Sequence, residues 1–186
     1  MKTTILMSAM ARLLCAGLSS PAEAAVSAEP AKILIAYYSY GGNTRAAAEQ
    51  IQKATGGDIF EIKPVNAYPA DYRACVELAK EECASGFKPE LTQLPENVGK
   101  YDLIFVGTPN WCGTMAPPVL SFLAAHDFGG KTIAPFVTHG GGGVQNCVRD
   151  IRKAAPKAAF TKAGVYYGSS TSAIRDWVNE TVTVRR

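Results

Sequence analysis

From residue 32 onward, short apolar runs alternate with segments whose apolar residues recur every three or four positions. Lys32-Ile-Leu-Ile-Ala-Tyr-Tyr38 is apolar almost throughout, the pattern of a parallel strand buried on both faces. Thr44 to Ala54 follows with Ala46, Ala47, Ala48, Ile51 and Ala54 at helical spacing. Asp58 to Ile62 alternates as a second strand, and Ala70 to Ala84 is helical again. Asp102 to Gly107 is a third strand, and Pro117 to Ala125 a helix with proline in its first turn, where the missing N–H costs little. Thr132 to Thr138 is the fourth strand, although Pro135 removes one ladder donor. Val144 to Ala154 is the fourth helix, Ala163 to Tyr167 the fifth strand and Ser172 to Glu180 the last helix. There is no internal repeat and no low-complexity tract.

Five strands alternating with five helices predict a three-layer α/β domain built on a parallel sheet. In such sheets ligands bind beyond the carboxyl ends of the strands, at the switch point of the strand order. The chemistry is therefore expected after strands one, three and four.

After strand one comes Ser39-Tyr40-Gly41-Gly42-Asn43-Thr44, running straight into a helix. Two hydroxyls, a pair of glycines and the unpaired N–H groups of a helix start make a cradle for an anion. The same residues also suit a plain strand-to-helix turn capped by Ser39 or Thr44. There is no Gly-Lys-Ser/Thr and no G-x-G-x-x-G, so neither a triphosphate loop nor a dinucleotide fingerprint is present. A cradle without a lysine suits a phosphomonoester held by neutral donors.

This Ser-x-Gly-Gly-Asn-Thr segment resembles the FMN phosphate loop of flavodoxins. Gly107 to Pro118 is similar to that family's loop after strand three, and Thr138 to Gly143 to its loop after strand four. Tyr68-Pro-Ala-Asp-Tyr72 is typical of one bacterial subgroup of the family. The resemblance spans about residues 32–180. It implies a flavodoxin-like fold with strand order 2-1-3-4-5, helices on both faces, and non-covalently bound FMN. Ser39, Tyr40, Gly41, Gly42, Asn43 and Thr44 would then hold the phosphate. Thr108, Pro109, Asn110, Trp111, Cys112 and Gly113 would line one side of the flavin, with Trp111 able to stack on the ring. Thr138, His139, Gly140, Gly141, Gly142 and Gly143 would close the other side. Cys112 stands where the subgroup often has a second tryptophan, and His139 where a small or polar residue is expected.

Residues 1–24 read as an export signal: Lys2 near the start, apolar stretches to Leu18, and Ala22-Glu23-Ala24 as a cleavage site. Arg12 interrupts the apolar region, which leaves a cytoplasmic protein with a frayed N-terminus as the alternative. Residues 25–31 read as a linker and 32–186 as the FMN-binding domain. No stretch approaches the ~18 consecutive apolar residues of a membrane span. The full chain has 19 basic and 16 acidic residues, a net charge of +3, too small a surplus for a nucleic-acid-binding face. Loss of residues 1–24 removes Lys2, Arg12 and Glu23 and leaves 17 basic and 15 acidic groups. Residues 25–130 then carry 8 basic and 12 acidic groups, residues 131–186 carry 9 and 3. His126 and His139 have no neighbouring ligands in sequence that would make a zinc site.

Cys75 and Cys83 lie eight residues apart on one predicted helix, about 12 Å by helical rise, which is beyond disulfide reach. Cys112 and Cys147 both fall near the expected site, as a disulfide or as two free thiols. The expected function is electron transfer through FMN to and from a redox partner protein or small molecule, with no catalytic side chain. The alternatives are an FMN-dependent NAD(P)H or quinone reductase, which would need a pocket beside the ring, and a binding module that has lost its flavin. A net charge near +2 is unlike the acidic excess of shuttle flavodoxins.

Overall fold

The computed structural model describes residues 31–170 and 172–183. The export segment at 1–24 and most of the linker lie outside the described residues. The chain runs β1 (Ile33–Tyr37), α1 (Asn43–Thr55), β2 (Asp58–Glu61), α2 (Tyr72–Ser85), β3 (Leu103–Trp111), β4 (Thr114–Met115), α3 (Pro117–Ala124), β5 (Thr132–His139), α4 (Cys147–Ala154), β6 (Ala159–Phe160), β7 (Gly164–Tyr167) and α5 (Ile174–Thr183).

The parallel sheet has the order β2-β1-β3-β5, with β6 and β7 sharing the position beyond β5. This is the expected order 2-1-3-4-5, with the fifth strand divided in two and β4 folded back antiparallel on the end of β3. Alternate residues of one strand feed two separate cores. Leu34, Ala36, Ile104, Val106 and Ile133 pack with Val119, Phe122 and Ile151 on one face. Ile35, Tyr37, Leu103, Phe105, Ala134 and Phe136 pack with Ala47, Ile51 and Trp177 on the other. That is why β1 and β3 read as unbroken apolar runs: each face of the strand meets its own helical layer.

Pro135 explains the divided fifth strand. Thr132 N–H points to Asp102 C=O on the β3 side, whereas Ile133 C=O accepts Thr161 N–H on the opposite side. By alternation the donor missing at Pro135 would also point away from β3. There β6 pairs only to Ile133 and β7 begins at Phe136, so no ladder bond is lost. Other boundaries moved as well. Strand β3 continues four residues past Gly107, and α4 starts at Cys147 because Gln145, at φ 38°, turns the chain just before it. No helix among the described residues is long and apolar enough to cross a membrane.

Candidate functional site

At the carboxyl edge of the sheet, α1 begins without a side-chain cap. Its N-cap is Gly42 at φ 87°, a left-handed conformation that favours glycine, and the first helical bond runs from Ala46 N–H to Gly42 C=O. The N–H groups of Asn43, Thr44 and Arg45 therefore have no partner within the helix. Helix α2 differs: Asp71 Oδ1 accepts the Ala74 N–H at 2.9 Å. Ser39 Oγ accepts the Gly42 N–H at 3.1 Å and holds the turn open. A Cβ at Gly41 or Gly42 would meet nothing within 4 Å, so the turn faces open space. The Arg45 guanidinium is turned away to Glu61, whose carboxyl it helps to hold below the usual range against the opposing effect of burial. The cradle is thus made of neutral donors and the positive end of a helix, which suits a phosphate.

Several expected site residues also hold the framework together. Thr44 and Thr138 share a hydroxyl–hydroxyl bond of 2.8 Å in the interior. Thr108 is fully buried; its hydroxyl accepts the Ala116 N–H and donates to Pro109 C=O, both at 2.9 Å. Asn110 uses both ends of its amide to join two loops, donating from Nδ2 to Gly143 C=O at 2.7 Å and accepting the Gly113 N–H on Oδ1 at 3.1 Å. Asn146 N–H adds a bond to Gly113 C=O. Pro109, Asn110 and Trp111 lie on the extension of β3 rather than in a loop. His139 ends β5, its Nδ1 accepting the Gly141 N–H at 3.1 Å and its ring edge-on to Tyr167. Gly140 and Gly141 present bare backbone, with nothing within 4 Å of where a Cβ would stand.

Trp111 sits in an aromatic nest that the sequence did not disclose. Its ring is edge-on to Tyr38 at 5.5 Å, Tyr40 at 5.8 Å and Tyr68 at 4.8 Å between centroids. The Tyr40 hydroxyl donates to Pro69 C=O at 2.6 Å, and that of Tyr68 to Glu82. Burial and the Glu82 carboxylate raise the Tyr68 pKa, so it remains a neutral donor. The Tyr68-Pro-Ala-Asp-Tyr72 motif was the available signal for this contact. Two clefts flank Tyr40. One of ≈ 300 Å³ is lined by Tyr40, Tyr72, Val76, Lys80, Asn110 and Trp111, among others, and one of ≈ 530 Å³ by Tyr38, Ser39, Glu61, Lys63 and Tyr68.

The four described cysteines are free thiols. Cys147 is buried at the start of α4, where burial pushes its pKa up to about 12, and it makes no disulfide with the exposed Cys112.

The family model for flavodoxin matches residues 32–181. The chain belongs to the flavodoxin family. Among solved flavodoxin-like structures, a candidate flavoprotein of Bacteroides eggerthii is 30% identical, with 81% of this chain and 97% of the other covered and a TM-score of 0.73. One from Bacteroides uniformis is 27% identical over 81% and 99%, with a TM-score of 0.74. A flavoprotein of Lactobacillus acidophilus, solved in complex with FMN, is 25% identical over 79% and 98%, with a TM-score of 0.64. No curated protein matches the chain by sequence. The flavodoxin fold thus extends across the described residues, with the neutral cradle, the tryptophan nest and the glycine loop meeting at one sheet edge.

Proposed function

We propose that this flavodoxin binds FMN non-covalently and passes electrons between redox partners. The observation that carries the reading is the uncapped start of α1 behind Ser39 to Gly42, three backbone donors and a helix dipole with no side chain to satisfy them. Those donors would hold the phosphate. Trp111 would offer its ring to the flavin, Asn110 would keep the two flanking loops in register, and Gly140 to Gly143 would allow the backbone to approach. Bound FMN supplies the electron-accepting chemistry, and the protein supplies binding, orientation and shielding from water. No side chain need act as nucleophile or base. The decisive experiment is titration of purified protein with FMN, followed by absorption and tryptophan fluorescence. Saturable binding with quenching of Trp111 supports the reading, and no binding refutes it.

A second reading, an FMN-dependent reductase, is favoured by the cleft of ≈ 300 Å³ at Tyr40, Tyr72 and Trp111 with Lys80 among its lining residues. Apolar rings with one cation suit a planar anionic or quinoid substrate. Steady-state NAD(P)H oxidation with a quinone acceptor would select the reductase. Slow turnover combined with fast exchange with a redox protein would select the carrier.

A further inference from the structure

The thiols of this chain gather where none of the proposed flavin chemistry needs them. On α2, Cys75, Ala79 and Cys83 recur every four residues, so they share one face of the helix. Cys75 and Ala79 are buried on it, and Cys83 is half-buried. Lying against that face is the end of β3. Cys83 Sγ is 3.9 Å from the Trp111 carbonyl oxygen, the atom one peptide bond from Cys112. Cys112 lines the same cleft as Cys75 and Ala79, is exposed, and holds a left-handed φ of 53° at the corner leading to β4. The turn thus sets Cys112 against the Cys75–Ala79 part of this helix face, while Cys83, one turn further on, lines the adjoining cleft with Thr114 and Met115. Burial, and after it the neighbouring Cys112, raise the Cys83 pKa.

We infer that Cys83 and Cys112 form a reversible disulfide by exchange with a low-molecular-weight disulfide, joining α2 to the turn after β3. Exposed Cys112 is the attacking residue. Its thiolate bonds to one sulfur of the small disulfide, whose S–S bond breaks and releases one thiolate, which takes up a proton. Cys83, on losing its proton, attacks Cys112 Sγ and expels the second small thiolate. Two protein thiols become one disulfide and one small disulfide becomes two small thiols, so atoms and electrons balance. Cys83 is the slow partner because its thiol resists ionisation, which makes Cys112 the residue on which a mixed disulfide accumulates. Neither step involves flavin, and the chemistry would hold in a chain that binds none.

The test is incubation of the full chain with glutathione disulfide at mildly alkaline pH, an acid quench, thiol counting in denaturant, and tryptic mapping. Trypsin cuts after Lys80 and so separates Cys75 from Cys83. The expected result is loss of two thiols, a linked pair made of peptides 81–100 and 101–131, since the Lys88–Pro89 bond resists trypsin, and recovery of both on reduction. In Cys83→Ser, Cys112 should instead retain a glutathione adduct. Cys147→Ser should still lose two thiols. The proposal is overturned if the thiol count does not fall, if Cys112 maps to Cys75, Cys147 or Cys15, or if wild type stops at the mixed disulfide. Mapping on wild type decides the pairing even where a variant folds poorly.

Discussion

The hydroxyls of Thr44 and Thr138 lie 2.8 Å apart with both residues at most 2% exposed, which joins the first turn of α1 directly to the end of β5. Each hydroxyl has been taken out of water on the condition that the other is there. Thr138→Val leaves Thr44 without that partner and should cost about 1–3 kcal/mol of stability. The double replacement Thr44→Val with Thr138→Val should recover most of the loss, since both polar groups are then gone. Urea midpoints of the wild type and the three variants check this, and a single variant as stable as wild type would sink it.

Gly107 is a second pressure point. It pairs with Phe136 across β3 and β5, and a Cβ there would come within 2.2 Å of the Phe136 ring. Both residues sit in the closed interior, so Gly107→Ala should destabilise the fold by about 1–3 kcal/mol through overpacking. Adding Phe136→Leu should return part of it. Calorimetric melting of the three proteins gives the answer.

The strand cores were legible because both faces of β1 and β3 are buried, and a run such as Lys32 to Tyr38 then has no polar beat to confuse with a helix. Two of the three loops were legible because Gly41-Gly42 and the run Gly140 to Gly143 have little other reason to fall after strands one and four. What stayed hidden depends on neighbours distant in the chain. The third strand was expected to end at Gly107 with a loop after it, yet β5 pairs with β3 as far as Pro109 and β4 folds back on Asn110 and Trp111. The sequence marks Asn110 and Thr138 as flavin contacts without disclosing that their polar side chains also tie loops and elements together. The approach of Cys83 to the Trp111–Cys112 peptide is set by how the Cys75–Ala79–Cys83 face packs and not by the order of the strands.

Trp111 should report the cofactor. Trp111→Ala removes the large π face and should weaken FMN binding by about 1 kcal/mol or more, roughly a fivefold rise in Kd, whereas Trp111→Phe should keep most of the affinity. Equilibrium dialysis with FMN measures both. Equal affinity in the alanine variant would remove Trp111 from the site.

His126 sets an acid limit. Its Nε2 is buried without a partner beside Phe122 and Phe128, and burial lowers its pKa below 6.5. The unfolded chain therefore binds this proton more readily than the folded one. Stability is intact above the unfolded value and falls as pH drops from about 6.5 toward the lowered folded value. His126→Gln should flatten this part of the profile. The carboxyls of Glu61 and Asp150, held low by their cationic partners against burial, and that of Asp127, held low first by the Gly129 N–H and then by Lys157, act only at more acid pH. Chemical denaturation at stepped pH separates the two regimes.

Residues 1–24 can be tested separately. Expression of the full chain in a Gram-negative host, followed by N-terminal sequencing of the periplasmic fraction, should find Ala25 first. Recovery of the protein only from the cytoplasm with residues 1–24 attached would remove the export assignment.

The division of the fifth strand at Pro135 also bears on how copies of this protein coexist at high concentration. A long, regular outer strand offers an unpaired row of amides on which another chain can zip. Here one border of the sheet is β2, four residues long, and the other is broken into pieces of two and four residues. Lys162 lies in the gap between those pieces. Neither border offers more than four residues in register, so the proline that spares the interior a ladder bond also keeps the sheet from recruiting a second one.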